Sequence, residues 1–269
     1  MQSKIGAAPT LQNRAACKRI VEYPESDGEP MAETGRHVRA LLDMIDMIDW
    51  HFQDVPDVHV SGNMFLYYEE GNPRKVLSPD VFMVRGVSKQ PLRTYKTWEQ
   101  HPYLDFVLEL ASPSTFARDF AEKKLIYEQI LRVKEYYIYD PYHEIEPSFI
   151  GFRLVSGSYE EIGFVDDHLP SEVLGLELGE RGGDLRLYDP VKDVWIGPGR
   201  ERAAEAETRA GEAETRADEA ETRADEAETR ADEAETRAQQ EAIARQTLAA
   251  ELAAARAALK RLQTSEQSE

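Results

Sequence analysis

Three ionisable residues occupy positions where a plain hydrophobic core would place apolar side chains. Glu109 lies inside the apolar run 106–110, which has the length of a buried strand. Asp80 opens a second strand-like run directly after a Ser-Pro pair, and Lys123 lies on the helix predicted to follow Glu109. Burying a carboxylate or an ammonium group costs several kcal/mol unless the group is paired or binds a metal. These three residues are therefore candidates for one shared site.

Two carboxylates and one lysine can together perform metal-assisted hydrolysis. Asp80 and Glu109 can hold a hard divalent cation, Mg²⁺ or Mn²⁺, through their oxygen atoms. The cation would polarise a phosphodiester and lower the pKa of a bound water, while the Lys123 ammonium stabilises developing charge or orients the water. The structural alternatives are a strand-entry role for Asp80 and a solvated strand-end position for Glu109.

The helix that carries the lysine is predicted over about 119–131. Asp119 and Glu122 fit an Asp-x-x-Glu capping box, which predicts Asp119 as the N-cap. At helical spacing, Lys123 falls near the middle of an apolar stripe, and Lys124, at the edge of the stripe, is the second candidate for the lysine role. The stripe consists of Phe120, Ile126, Tyr127, Ile130 and Leu131.

The order of predicted elements indicates the fold class. An amphipathic helix is predicted over 32–53, where the apolar residues at helical spacing are Val38, Leu41, Leu42, Ile45, Ile48 and Phe52. Several short strands, the helix described above and further strands follow it. This order predicts a mixed α/β or α+β domain with helices packed on a central sheet. The predicted strands are 64–68, 80–84, 106–110, 136–139, 148–155, 159–165, 173–178 and 185–188.

Several longer strings resemble the PD-(D/E)XK nuclease superfamily and, more closely, a large bacterial family of restriction-endonuclease-like proteins. The resemblance covers roughly residues 30–195, and the string from 106 to 141 is its most specific part. The matching strings are Ser78-Pro-Asp80-Val-Phe, Phe106-Val-Leu-Glu109-Leu-Ala-Ser-Pro-Ser-Thr115, Asp119-Phe-Ala-Glu-Lys123 with Tyr127, Glu135-Tyr-Tyr-Ile-Tyr-Asp140-Pro141, Ser171-Glu-Val-Leu-Gly-Leu-Glu-Leu178 and Leu185-Arg-Leu-Tyr-Asp-Pro190.

The resemblance implies a restriction-endonuclease-like fold and assigns roles residue by residue. Asp80 and Glu109 would be the metal ligands and Lys123 the catalytic lysine. The superfamily usually has its lysine two residues after the second acid, where this chain has Ala111; the similar bacterial family places it on the next helix, as Lys123 does. The implied reaction is attack of water on phosphorus in DNA, which leaves a 5′-phosphate and a 3′-hydroxyl.

The superfamily often has an acidic residue on its first helix close to the site. In this chain Glu33 and His37 are the two candidates for that position.

Charge restricts how nucleic acid can be bound. The chain of 269 residues has 51 acidic and 32 basic residues and a net charge of −19. Because nonspecific nucleic-acid binding depends on basic charge, contact with DNA is expected to be local. One basic stretch between the two acids is either this contact surface or a solvated loop; it contains Arg85, Lys89, Arg93 and Lys96, with Tyr95 and Trp98 interleaved, and Arg132 and Lys134 are possible additions.

Composition excludes several classes of protein. A hydrophobic content of 41% is enough for a core, which argues against global disorder. One cysteine, Cys17, cannot form a disulfide framework or a zinc knuckle. No apolar run approaches the roughly 18 residues of a membrane span, and the first residues lack the apolar core of a signal peptide. The expectation is a cytoplasmic protein that has no contact with a membrane.

A composition change near Gly199 divides the chain. No Pro, Trp, Tyr or Phe occurs after Pro198, and residues 201–269 contain 18 acidic and 10 basic residues. This tail repeats Glu-Thr-Arg-Ala-Asp-Glu-Ala with a period of seven, and a helix over 201–263 would be about 95 Å long. We therefore predict an N-terminal extension at 1–29, a restriction-endonuclease-like domain at 30–198 and a heptad-repeat helix at 199–269.

The repeat also predicts how the tail could self-associate. Alanines spaced alternately by four and three residues form an a/d seam, with Ala217 at a and Ala220 at d. In a parallel pair, Arg223 at g would face Glu228 at e of the partner helix, whereas antiparallel pairing would bring like charges together. The sequence favours a parallel homodimer driven mainly by the leucines after residue 247; the alternative is a solvated single helix.

Two hypotheses from different classes follow from these features. The first is a metal-dependent endonuclease acting on DNA, which depends on Asp80, Glu109 and Lys123. The second is a non-catalytic module that keeps the nuclease fold and assembles partners through its helical tail. It is motivated by the acidity, the long repeat and the absence of a lysine at position 111. Binding of Mg²⁺ or Mn²⁺ discriminates between them.

Overall fold

The computed structural model describes residues 21–26, 28, 34–101 and 103–266, and it divides into two compact units, Met1–Arg202 and Ala203–Glu269. The helices are α1 (Gly35–His51), α2 (Phe116–Arg118), α3 (Lys124–Gln129) and α4 (Gly199–Glu266), and a π-helical turn (Asp119–Lys123) joins α2 to α3. The strands are β1 (Val58–Ser61), β2 (Leu66–Tyr67), β3 (Val76–Leu77), β4 (Val81–Arg85), β5 (Tyr95–Lys96), β6 (Phe106–Leu110), β7 (Glu135–Tyr139), β8 (Phe149–Val155), β9 (Ser158–Glu161), β10 (Leu169–Ser171), β11 (Leu176–Arg181), β12 (Asp184–Asp189) and β13 (Val194–Ile196).

A six-stranded mixed sheet forms the centre of the first unit, in the order β1-β4-β6-β7-β8-β9. β6 and β7 are parallel, and the other neighbouring pairs are antiparallel. Parallel neighbours require a crossover connection, which the helical segment 116–129 supplies. The predicted mixed fold with helices on a central sheet is confirmed.

Strand alternation separates the core into two layers. Val81 and Met83 of β4 pack in the layer that includes α1 and the sheet β10-β11-β12-β13. Phe82 and Val84 point the opposite way, into the layer that includes Tyr127 and the small sheet β3-β2-β5. Since side chains of a strand alternate between faces, Glu109 shares the face of Val107, which belongs to the Tyr127 layer.

Helix α1 places its N-terminus next to the end of the sheet that carries Asp80. The Thr34 side chain accepts a hydrogen bond from the His37 backbone N–H and caps the helix. Leu41 and Ile48 are buried against the sheet, as the helical spacing predicted, and Met44 is buried as well. The helix runs over 35–51 rather than 32–53, and Leu42, predicted on the buried face, is exposed.

The prediction that Asp119 is an N-cap is wrong. The helical segment begins one turn earlier, with Thr115 in the cap position, so Asp119 lies inside the segment as the first residue of the π-helical turn. Phe120 and Ile130, predicted on the buried stripe, are exposed, whereas Tyr127 and Leu131 are buried. The largest differences from the predicted strand bounds are at β9, which ends at Glu161 rather than at 165, and at β11, which begins at Leu176 rather than at 173.

The tail forms one continuous helix, α4, as the heptad repeat predicted. Its side chains are exposed from Ala203 to Ala257. Glu–Arg pairs four residues apart line its surface; the predicted pair of Glu219 and Arg223 has an N–O distance of 3.8 Å. In the described part of the chain, no helix is both long and apolar enough to cross a membrane.

Candidate active site

Asp80 and Glu109 lie side by side at one end of the central sheet. Val81 pairs with Leu108 across β4 and β6, which brings Asp80 next to Glu109. The backbone N–H of Asp80 donates to Glu109 Oε2 at 3.4 Å, and the backbone N–H of Leu110 donates to Asp80 Oδ2 at 2.7 Å. The strand register therefore fixes the two predicted carboxylates as neighbours.

Lys123 reaches the same place from the helical segment. Its Nζ lies 2.9 Å from Glu109 Oε2 and 2.9 Å from Asp119 Oδ1. The Glu109 side chain is fully buried, and the Lys123 side chain is only 11% exposed. The structure thus brings the three predicted residues together and adds a fourth, Asp119. The capping-box pattern wrongly predicted Asp119 as an N-cap. The spacing of four residues between Asp119 and Lys123 is the signal in the sequence that their side chains can contact each other on one face of a helix.

Two buried tyrosines hold the acidic residues. The Tyr127 hydroxyl donates to Glu109 Oε1 at 2.6 Å, and the Tyr136 hydroxyl donates to the backbone carbonyl of Asp119 at 3.0 Å. Tyr127 and Tyr136 belong to the same layer of the core, called the aromatic layer below, and their rings pack at a centroid distance of 4.9 Å. Both oxygens of Glu109 therefore have partners, as a carboxylate in the interior requires.

His37 is the candidate from the first helix that the structure places at the site. Its Nε2 lies 3.6 Å from Asp80 Oδ1, and the Thr34 cap fixes the turn from which it projects. Glu33, the alternative candidate, lies outside the described residues.

Burial and charge shift the protonation equilibria of the cluster. Burial raises the pKa of Glu109 to about 8, although the neighbouring Lys123 opposes the shift. Burial alone would lower the pKa of Lys123, but Glu109 and Asp119 outweigh it and raise that pKa above its usual value. Burial also acts to raise the pKa of Asp80, yet the adjacent His37 side chain, the hydrogen bond from the Leu110 N–H and the charge of Lys123 lower it.

A cavity of about 570 Å³ opens onto this cluster. Ala111, at the position where the superfamily usually has its lysine, lies in the cavity wall. Lys124 does not line the cavity, because its Nζ lies 3.6 Å from the centre of the Phe152 ring. Lys124 is therefore not placed for the lysine role. The cavity is lined by Thr34, His37, Asp80, Leu110, Ala111, Ser112, Ser114, Thr115, Asp119, Lys123, Pro141, Tyr142 and Glu144.

The basic stretch predicted as a possible DNA contact lies elsewhere. Arg85 ends β4, at the opposite end of that strand from Asp80, and its guanidinium packs on the Phe52 ring. Lys89 contacts Asp49 and the Phe52 carbonyl. The other two members, Arg93 and Lys96, pair with Glu25 and Glu99. These contacts favour the structural alternative for this stretch.

The donor chemistry of the cluster fits a hard divalent cation. Asp80, Glu109 and Asp119 place three carboxylates around one ammonium, so the fully ionised cluster has an excess of negative charge. Within the described residues, no group of three or more His, Cys, Asp and Glu side chains is arranged to hold a metal ion. Asp80 and Glu109 could supply two carboxylate ligands, and Mg²⁺ accepts so few protein ligands because it keeps several waters and takes further ligands from substrate phosphates.

A mixed sheet with two adjacent carboxylates and a lysine at its end is the arrangement expected of restriction-endonuclease-like proteins. The chain belongs to the Uma2 family, described as "Putative restriction endonuclease", whose profile matches residues 14–182. The family that the sequence resembled is thereby confirmed. Comparison with curated proteins gave no match.

Among solved structures, the chain is similar to the crystal structure of "a putative nuclease belonging to DUF820" from Anabaena variabilis. The two are 12% identical with a TM-score of 0.41, and the alignment covers 54% of this chain and 76% of the other.

Proposed function

We propose that the protein is a metal-dependent nuclease that hydrolyses phosphodiester bonds of DNA in the cavity described above. One observation carries the proposal: Lys123 Nζ lies 2.9 Å from Glu109 Oε2, and Asp80 is the neighbour of Glu109 across the sheet. Family membership supports the same conclusion.

Asp80 and Glu109 would hold the cation, Mg²⁺ or Mn²⁺. When bound, such an ion polarises the phosphodiester and supplies a water of lowered pKa. The backbone N–H of Leu110 orients the Asp80 carboxylate, and the Tyr127 hydroxyl orients that of Glu109. Both carboxylates are therefore held in place before substrate arrives, which is the condition for electrostatic preorganisation.

Lys123 would stabilise the negative charge that develops on the phosphate oxygens. Its ammonium lies in the cavity wall, close to the two carboxylates but nearly excluded from solvent. A cation in such a poorly hydrated place acts more strongly on a developing charge than one in water. The product, by the resemblance to the superfamily, is a 5′-phosphate and a 3′-hydroxyl.

The direct test is cleavage of nucleic acid by the purified full chain. Supercoiled plasmid and a single-stranded oligonucleotide would be incubated with Mn²⁺, Mg²⁺ or EDTA, beside the variants Asp80→Asn and Lys123→Ala. We expect cleavage that requires the metal and is lost in both variants. Cleavage that survives Asp80→Asn would reject the assigned site. No cleavage by the folded wild-type protein under any condition would reject the nuclease.

The second candidate is a nuclease-fold module without catalysis. It is favoured because Lys89, Arg93 and Lys96 of the basic stretch already pair with acidic side chains of the same chain. On a molecule with a net charge of −19, few basic side chains are then left to contact DNA phosphates. Calorimetric titration with Mn²⁺ distinguishes the candidates: heat of binding that disappears in Asp80→Asn supports the nuclease, and no binding to the wild type supports the module.

We also propose that the tail helix pairs in parallel with that of a second copy. The argument is the exposed seam of α4, which ends in large apolar side chains such as Leu248 and Leu252. A helix whose apolar residues repeat every seven residues buries them by supercoiling with another helix. Such a pair would bring two nuclease domains together on one substrate.

A further inference from the structure

We infer that Asp119 is a positioning residue that fixes the Lys123 ammonium for the reaction. The inference rests on the proposed nuclease function and extends it to a residue outside the acid-acid-lysine set. Asp119 Oδ1 lies 2.9 Å from Lys123 Nζ, and Asp119 is only 2% exposed. An acid buried to this degree costs several kcal/mol unless a partner compensates it, and Lys123 is that partner.

The Lys123 ammonium needs more than one contact to be held in a fixed position. A lysine side chain is a flexible four-carbon stem with a compact charge at its end. With Glu109 alone, its ammonium would have one charged contact and freedom to turn about it. Asp119 supplies a second contact at the same distance, 2.9 Å, so two carboxylates fix the ammonium in the cavity wall.

The local backbone supports this role. Asp119 and Lys123 are the two ends of the π-helical turn, a feature that occurs frequently at functional sites. The Tyr136 hydroxyl donates to the Asp119 carbonyl and ties the turn to the aromatic layer beneath it. The Asp119 carboxylate does not cap a helix, since Thr115 holds the cap position. Its contact with Lys123 accounts for its burial.

The test compares Asp119→Asn with Glu122→Gln. Both substitutions remove one negative charge from the same turn, but Glu122 is exposed. We expect Asp119→Asn to lower kcat about 10- to 100-fold with little change in KM, since a misplaced catalytic group lowers the rate by such factors. Glu122→Gln should stay within about 2-fold of the wild type.

A second readout does not depend on nuclease activity. The rate at which an amine-reactive ester modifies Lys123, followed by mass spectrometry with the exposed Lys75 as internal reference, reports how firmly the ammonium is held. We expect at least a several-fold faster modification in Asp119→Asn, near wild-type behaviour in Glu122→Gln, and partial restoration in Asp119→Glu. Urea unfolding of each variant confirms that the labelled protein is folded.

The outcomes separate this inference from the nuclease proposal. If Lys123 is modified at the wild-type rate in folded Asp119→Asn, Asp119 does not position the lysine, whether or not the protein cleaves DNA. If modification accelerates but the wild type cleaves nothing, the positioning role stands and the nuclease fails. Equal losses of kcat in Asp119→Asn and Glu122→Gln would also overturn the inference, because they would reflect charge alone.

Discussion

The Tyr127 hydroxyl donates a 2.6 Å hydrogen bond to Glu109 Oε1, and both side chains are completely buried. A tyrosine of the hydrophobic core is thereby also a support for the site. Its ring packs against Tyr136, and its polar tip satisfies one oxygen of the carboxylate. Stability and site geometry are coupled at this residue, which makes it the first place to test the arrangement.

Replacing Tyr127 with Phe should destabilise the protein and impair cleavage. Loss of the hydroxyl leaves an oxygen of buried Glu109 without its donor, at a cost of about 1–3 kcal/mol in the free energy of unfolding. Tyr159→Phe is the matched control: its hydroxyl donates to the Val133 carbonyl. Urea unfolding should show losses of similar order in both variants, and only Tyr127→Phe should lose nuclease activity. Equal activity in the two variants would show that Glu109 needs no support from Tyr127.

The buried pair of Lys123 and Glu109 should show strong energetic coupling. Replacing Lys123 with Met leaves Glu109 without its cation, and breaking a buried pair in this way costs about 3–5 kcal/mol. The double variant Lys123→Met/Glu109→Gln should lose less stability than the two single variants added together. Urea unfolding of the four proteins measures this difference.

The control for this cycle is an ion pair in which the lysine is exposed. Lys192 contacts Asp189 at 2.9 Å, with its side chain 71% exposed. Lys192→Met should change the free energy of unfolding by less than about 1 kcal/mol. If the double variant lost as much stability as the Lys123→Met and Glu109→Gln variants added together, the two side chains would not be coupled.

The sequence predicted the parts of the site that depend on local pattern. Glu109 is visible because it interrupts an apolar run that is buried throughout, and Asp80 is visible because it opens another such run. The family follows from the strings around them and is confirmed. That Asp80 lies beside Glu109, and Glu109 against Lys123, is a matter of strand order, which a single sequence does not specify.

Other features depend on geometry that residue patterns do not encode. The π-helical turn shifts the register of the helix, so the stripe drawn at regular α-helical spacing put Phe120 on the buried face, and the capping box at Asp119 was misread. The sequence left the basic stretch as either a contact surface or a solvated loop, because partners such as Glu25 and Asp49 are distant in the sequence.

Gly62 should tolerate no side chain, because its backbone runs against that of Asp80. A Cβ at this position would lie 2.0 Å from the Asp80 carbonyl oxygen and 2.9 Å from Ile45 Cδ1. Gly62→Ala must therefore displace the strand entry that carries Asp80. We expect a loss of about 1–3 kcal/mol in stability and of about 100-fold in cleavage rate.

The comparison for Gly62 is Gly163, where an added Cβ meets nothing within 4 Å. Gly163→Ala should keep the unfolding midpoint and the cleavage rate of the wild type. A Gly62→Ala protein indistinguishable from Gly163→Ala in both measurements would mean that the close approach does not hold Asp80 in place.

His59 should make the protein less stable in mild acid. Burial lowers the pKa of its imidazole below 6.5, although a hydrogen bond to the Ser88 carbonyl and the charge of Asp49 oppose the shift. The unfolded chain then binds the proton more readily than the folded one. This contribution is fully present above pH 6.5 and is lost as the pH falls through the lowered pKa.

The variant His59→Gln isolates this effect, because it shares every other titratable group with the wild type. Urea unfolding at about pH 7.5 and about pH 5.5 should show that the wild type loses more stability than His59→Gln on acidification. Equal losses in the two proteins would show that the histidine is protonated as easily in the folded state as in the unfolded one.

The tail should make the full chain a dimer through its leucine end. Leu248 and Leu252 are exposed on α4, which is otherwise largely polar. Burying these leucines against a partner helix removes apolar surface from water and so stabilises a dimer. Light scattering after size exclusion should give the mass of two chains for the wild type and of one chain for Leu248→Ser/Leu252→Ser.

The matched control is Thr222→Ser, at an f position on the outer side of the heptad, which should remain dimeric. A wild type with the mass of one chain, an intact tail and a helical far-UV signal would establish α4 as a single solvated helix. In that case, a single active site would have to cleave both strands of a DNA duplex.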